Sequence, residues 1–235
     1  VRTLCWLAKS KSILEDIKKA DDIYEVFAIE FGLWESSKGS LKDIKPDIRH
    51  KVKTMVLGCG YGVGYRKFVD LYREKMFKVV SYWRSLTKEL KDVASSPYDF
   101  NILLPSGREL KYGRINSRTT EVEDLEKNVS IQRKEYFATV VKNSSRRAVK
   151  LYGGLLAENA SQALARDVFC DCMLRIAETG LNIICHVHDE VVIEIEEEEA
   201  EEALKDVVKI MKTPPSWIPD IPLDAEGKVV ERYEK

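Results

Sequence analysis

The chain has 235 residues, 44% hydrophobic and 33% charged, a balance that suits a folded globular protein of one large domain or two small ones. A formal net charge of −1 excludes a globally basic nucleic-acid binder, so any contact with phosphates must come from local basic patches. Cys5, Cys59, Cys170, Cys172 and Cys185 are odd in number and form no CxxC pair, which argues against a disulfide framework or a structural zinc site and for a reducing compartment; no run of about 18 apolar residues offers a membrane span.

Residues 1–34 carry apolar positions such as Ile23, Val26, Phe27 and Ile29 near helical period and read as short helices. The segment Val1–Ala8 is already patterned as a helix without an initiating Met, so the chain reads as cut from something longer. Residues 36–40 form a Ser/Gly loop, and Pro46 with Asp47 opens a helix that runs to Gly58 or Gly60. A second long helix is expected from Tyr65 to about Val93, because neither Pro nor Gly interrupts it, and Pro97 ends that region.

Two short strands are expected about Pro105-Ser106-Gly107. Residues 116–130 are polar and read as loop. Residues 135–142 and 146–152, split by Asn143-Ser144-Ser145, read as a hairpin. An amphipathic helix follows over 155–179 and is stopped by Gly180. The acidic run Glu196–Glu202 is assigned to the start of a helix over 197–212, since acids favour a helix N-terminus and repel one another as ligands; Pro214-Pro215 stops it.

Two groups of residues carry chemistry. The first lies in Ile183–Ile193, an apolar, β-branched stretch that reads as strand, turn, strand with His188, Asp189 and Glu190 in its middle. A charged pair there is costly unless it meets water, a partner or a metal. It is either a plain acidic turn or a holder of a divalent cation against phosphate oxygens. The second is Arg49, Lys53, Leu57 and Tyr61, spaced by four along one slowly winding helical stripe. Two cations a turn apart suit a polyphosphate, and an aromatic beside Gly62-Val63-Gly64 suits a base; an ordinary solvated helix face has the same look.

Arg49-x3-Lys53-x7-Tyr61-Gly62 resembles motif B of family A (DNA polymerase I-like) DNA polymerases, and His188-Asp189-Glu190 resembles their motif C. Between them, Tyr152-Gly153-Gly154 through Asp167 is similar to the palm helix that carries a minor-groove Gln. Leu57-Gly58-Cys59-Gly60-Tyr61-Gly62-Val63-Gly64, Pro215-Ser216-Trp217 and Pro222-Leu223-Asp224-Ala225-Glu226-Gly227 look like the phage and prophage branch. The motifs stand in the expected order and span essentially the whole chain.

The resemblance implies an α+β fold: the C-terminal part of a right-hand polymerase, with a helical fingers subdomain inserted in an antiparallel-sheet palm. Residues 1–11 would be the palm helix after motif A, 12–98 the fingers, and 99–235 the palm with the motif C hairpin. It also implies template-directed nucleotidyl transfer from a dNTP to a primer 3′ end on primer–template DNA, through two magnesium ions, in the cytoplasm of a bacterial host. Asp189 would be one metal ligand, with Glu190 supporting the site and His188 steadying the primer end. Lys53 and Arg49 would hold the triphosphate, with Lys53 a candidate acid for the departing pyrophosphate.

Tyr61 would flank the nascent pair, Gly62 would lie against the DNA, and Tyr24 stands where bacterial members carry a phosphate-contacting His. Leu57 replaces a ring that influences acceptance of sugars lacking a 3′ hydroxyl. Gln162 would donate to minor-groove acceptors common to all base pairs, with Asn159 and Arg166 nearby. The motif A Asp and the thumb would come from an N-terminal segment or partner, without which this chain is expected to be inactive; the hairpin's apolar residues Ile183, Val187, Val191 and Ile193 would then be partly exposed. Two alternatives stand beside this reading. A phage-type single-subunit RNA polymerase shares motifs B and C but usually carries Ser after the motif C Asp; a degenerate fragment could serve only in assembly. An HD-type phosphohydrolase would need more His than His50, His186 and His188.

Overall fold

The computed structural model describes residues 1–60, 66–124, 129–142 and 144–233. Its first half is helical. Helix α1 (Arg2–Leu7) turns into α2 (Lys11–Lys19), whose Ile13, Leu14 and Ile17 form the buried face. Helix α3 (Ile23–Glu30) starts at Asp22, whose carboxylate accepts the Tyr24 N–H at 3.0 Å, one of the donors that a helix start leaves without a partner. The expected loop at 36–40 holds a 3-10 turn and is followed by a short helix missed in sequence, α4 (Leu41–Ile44).

Helix α5 (Pro46–Gly60) runs as expected. Val52, Met55, Val56 and Cys59 bury one face at steps of three and four, which turns Lys53 and Leu57 outward and leaves Arg49 half-buried at the edge. The single long helix expected beyond it is two, α6 (Arg66–Lys75) and α7 (Phe77–Ala94). The break falls at Met76, with φ −102° and ψ 39°. No Pro or Gly announces it. Packing makes the bend: Met76 and Tyr72 are buried, and the Tyr72 ring stacks on Trp83 of the next helix at 6.0 Å.

All strand pairs are antiparallel, in three separate sheets among the described residues. Strands β1 (Phe100–Leu103) and β2 (Glu109–Gly113) flank a turn closed by the Gly107 N–H on the Leu104 carbonyl, with Gly107 at φ +84°. Strands β3 (Asn116–Asp124), β4 (Val129–Lys142) and β5 (Ser145–Leu151) form a meander. The expected loop over 116–130 is therefore mostly strand. Its apolar alternation is missing because much of this sheet meets water on both faces: consecutive Gln132, Arg133 and Lys134 are all exposed, and among its described side chains burial is confined to the base, at Tyr136, Ala138 and Leu151. Cross-strand pairs such as Lys150 with Glu135 help hold the register instead.

Helix α8 (Gly153–Glu178) is the spine, with α7, α1 and α9 (Ala200–Lys212) packed around it. Leu156, Ala157, Ala160, Leu164, Val168, Cys172 and Ile176 bury its inner side. A second small core joins Leu164 and Val168 to Ile218 and Ile221, with Trp6 against it and donating to Asp220 at 2.8 Å. Gly180, at φ +89°, ends the helix, and the hairpin β6 (Asn182–Val187) and β7 (Glu190–Glu194) follows. No helix among the described residues is long and apolar enough to cross a membrane.

Candidate active site

The cation stripe of α5 meets the start of α3. Arg49 Nε donates to Asp22 Oδ2 at 2.5 Å and its Nη2 to Oδ1 at 3.2 Å, a two-point pair with Asp22 nearly buried. The Arg49 guanidinium lies over the Tyr24 ring at 5.1 Å, and Lys53 Nζ stands 5.8 Å from the same ring. Hydrogen bonding to Asp22 pushes the Arg49 pKa further up, so its charge is permanent. Burial raises the Tyr24 hydroxyl, with the Arg49 charge opposing. Arg49, Lys53 and Tyr24, chosen from the sequence, are thus brought together. Leu57 is one turn further on and partly exposed. Tyr61 and Gly62 lie outside the described residues.

The acidic segment is a hairpin as expected. Val187 pairs with Glu190, which leaves His188 and Asp189 as a two-residue turn. His188 takes φ +55°, the left-handed conformation that tight hairpin turns need and that His tolerates better than branched residues. His188, Asp189 and Glu190 are all exposed, so the two carboxylates at the tip remain in water. Ile183, Val187, Val191 and Ile193 are half-exposed along the strands, as the sequence implied, and Ile184, at an irregularity in the pairing, is more open still.

Helix α8 connects this hairpin to the third group. Asn159, Gln162 and Arg166 follow one another at steps of three and four and share a face. Gln162 is exposed. Asn159 Nδ2 donates to the Tyr112 hydroxyl at 2.9 Å, so β2 holds it. Arg166 Nη2 stands 3.3 Å from His186 Nε2, and the Phe169 ring supports both, 5.7 Å from the guanidinium and 6.0 Å from the imidazole ring. The line beginning at Gln162 therefore leads onto β6, the strand that runs into the turn holding Asp189.

Sequence reading missed Asp22 and Tyr112. Asp22 had a signal: Asp22-x-x-Glu25 before an apolar run is a helix-start pattern. Its second job, seating Arg49, has no local signature, because the partners are 27 residues apart. Among the described residues, no three His, Cys, Asp or Glu side chains cluster as a metal cage. An exposed carboxylate at a hairpin tip nevertheless fits magnesium, which binds through one or two carboxylates and otherwise takes water and substrate phosphates.

Helices packed on a buried spine, with antiparallel hairpins and a meander, define an α+β architecture that places Lys53 and the Asp189 turn at the surface. The model of DNA polymerase family A matches residues 1–235, and the chain belongs to that family. It is 28% identical to the DNA polymerase of Bacillus phage SP02 over 267 residues, covering 100% of this chain and 39% of that protein. Its fold is similar to the POL domain of Pol1 from M. smegmatis, solved in complex with DNA primer-template and dNTP, with a TM-score of 0.59, 18% identity, and coverage of 95% of this chain and 36% of that one. The chain thus spans well under half the length of either relative.

Proposed function

We propose that this chain forms part of the catalytic centre of a DNA-directed DNA polymerase, a nucleotidyltransferase that adds deoxynucleoside monophosphates to a primer 3′ end. Asp189, exposed at the tip of the β6–β7 hairpin in a chain that belongs throughout to DNA polymerase family A, is the observation that carries this reading. The family assignment also favours DNA synthesis over the RNA-polymerase alternative. In this reading residues 12–98 are the fingers, and residues 1–11 and 99–235 belong to the palm.

Asp189 would hold magnesium, with Glu190 beside it adding negative potential. Bound there, the ion would stabilise charge on the attacking and leaving oxygens. Arg49 and Lys53 bind the triphosphate: the first as a fork, the second as a point charge that can also give a proton to the departing pyrophosphate. Gln162 contacts the minor groove of the primer end, where its amide N–H meets an acceptor on any base pair. Two-metal chemistry calls for a second bridging carboxylate, and we assign it to a polymerase segment outside these 235 residues.

Primer extension with a labelled primer–template tests the proposal in three arms: this chain, a polypeptide carrying the remaining polymerase segments, and the mixture. Magnesium-dependent extension by the mixture alone is the expected result. Robust extension by this chain alone would remove the need for a second carboxylate from elsewhere. No extension by a mixture that forms a complex would point to an assembly role.

A further inference from the structure

We infer that Asp22 is a positioning residue for nucleotide binding: it aims the Arg49 guanidinium at the triphosphate. The inference rests on the triphosphate reading of Arg49 and Lys53 above. Three hydrogen bonds immobilise the Asp22 carboxylate. Oδ1 accepts from the Tyr24 N–H at 3.0 Å and from Arg49 Nη2 at 3.2 Å, while Oδ2 accepts from Arg49 Nε at 2.5 Å. The side chain is 13% exposed and that of Arg49 29%, so the pair is shielded from water on most sides.

A guanidinium has five N–H donors in one plane. Asp22 takes the Nε edge and one hydrogen of Nη2. Three donors remain, both on Nη1 and the second on Nη2, and the planar fork points them away from Asp22. The Tyr24 ring closes a face of the same group at 5.1 Å, which removes most rotations of the side chain. A long Arg otherwise loses much rotamer freedom when it grips a ligand; here that ordering is complete before the ligand arrives. Asp22 also cancels one positive charge near the site. Lys53, above the same ring, keeps the local formal balance of Asp22, Arg49 and Lys53 positive.

The test uses substitutions that separate seating from helix capping. Asp22→Ser keeps an oxygen able to cap α3 but cannot form the two-point pair. Asp22→Asn is nearly isosteric and keeps the cap while replacing one acceptor oxygen by a donor and removing the negative charge of the pair. Steady-state dNTP KM and kcat and primer–template Kd are measured for the extension-competent polymerase containing this chain, at a temperature where circular dichroism shows each variant folded.

Asp22→Ser is expected to raise the dNTP KM about tenfold, with kcat and DNA Kd within about twofold, and Asp22→Asn to raise KM less. A merely structural role would lower the active fraction, and so kcat, without moving KM. In an Arg49→Ala background, Asp22→Ser should change KM less than about twofold, because nothing is left to aim. If Arg49→Ala raises KM but Asp22→Ser does not, or if the two effects multiply, the positioning role is overturned while the triphosphate reading stands. If Arg49→Ala itself leaves KM unchanged, that reading falls and this inference with it.

Discussion

Gly153 passes so close to the Trp83 carbonyl that a β-carbon on residue 153 would stand 2.1 Å from its oxygen and 2.5 Å from Thr87 Oγ1. The contact seats the first turn of α8 on α7, and through α8 it sets where Gln162 and Arg166 stand. Since backbone cannot swing aside as a side-chain end can, Gly153→Ala should destabilise by about 1–3 kcal/mol or more through overpacking. Gly180→Ala, at φ +89° with nothing within 4 Å, should cost only the left-handed strain, about 1–2 kcal/mol. Urea unfolding of the two variants gives the comparison, and an equal or smaller loss at 153 would mean that α8 slides to relieve the contact.

Asp189→Asn should reduce nucleotide addition by at least about a hundredfold in the reconstituted polymerase, equivalent to about 2.7 kcal/mol in barrier. The exposed tip leaves room for the isosteric amide, so folding and primer–template affinity should be nearly unchanged. Single-turnover extension together with a DNA-binding titration checks both halves. A rate within about threefold of the native one would remove Asp189 from the metal site.

Lys53→Ala should raise the dNTP KM and lower kcat together, whereas Arg49→Ala should act mainly on KM, since only Lys53 is assigned proton transfer to the leaving group. One turn further along α5, Leu57→Tyr should increase incorporation of dideoxynucleotides relative to deoxynucleotides in a competition assay. Unchanged discrimination would show that position 57, although it faces outward, does not touch the sugar.

Alkaline pH should weaken the fold through buried acids that ionise only when exposed. Burial pushes the Cys5 thiol from 9.0 to about 11, and the Tyr82 hydroxyl, chiefly by burial, from 10.0 to about 12. Between the lower and the upper value of each, the unfolded chain has lost a proton that the native chain keeps, so native stability falls as pH rises. For Cys5 the stability present below pH 9 is lost progressively toward pH 11, a difference of at most about 3 kcal/mol. Cys5→Ala should be less stable at neutral pH, from lost packing, yet show a shallower decline above pH 9; parallel curves would mean that Cys5 ionisation does not contribute.

Local chemistry alone determined much of this molecule. Pro46 and Asp47 start a helix, Gly180 stops one, Gly107 turns a hairpin, and β-branched runs on either side of His188-Asp189 pair because those residues restrict their own backbones. The four-residue spacing of Arg49 and Lys53 dictated a shared helix face, and the order of motifs carried the family, because both are properties of the chain itself. Tertiary structure decided the rest. Packing of Met76 and Tyr72 against α7 bent a helix that carries no breaker, and pairing with β4 made a strand of the polar stretch after Asn116. Asp22 came to hold Arg49, Tyr112 to hold Asn159, and Arg166 to meet His186 only because the fold closes gaps of 27, 47 and 20 residues. Helical and strand periods report the face on which a residue sits. What faces it across such a gap depends on how whole elements dock, and that is set by the summed burial of the core.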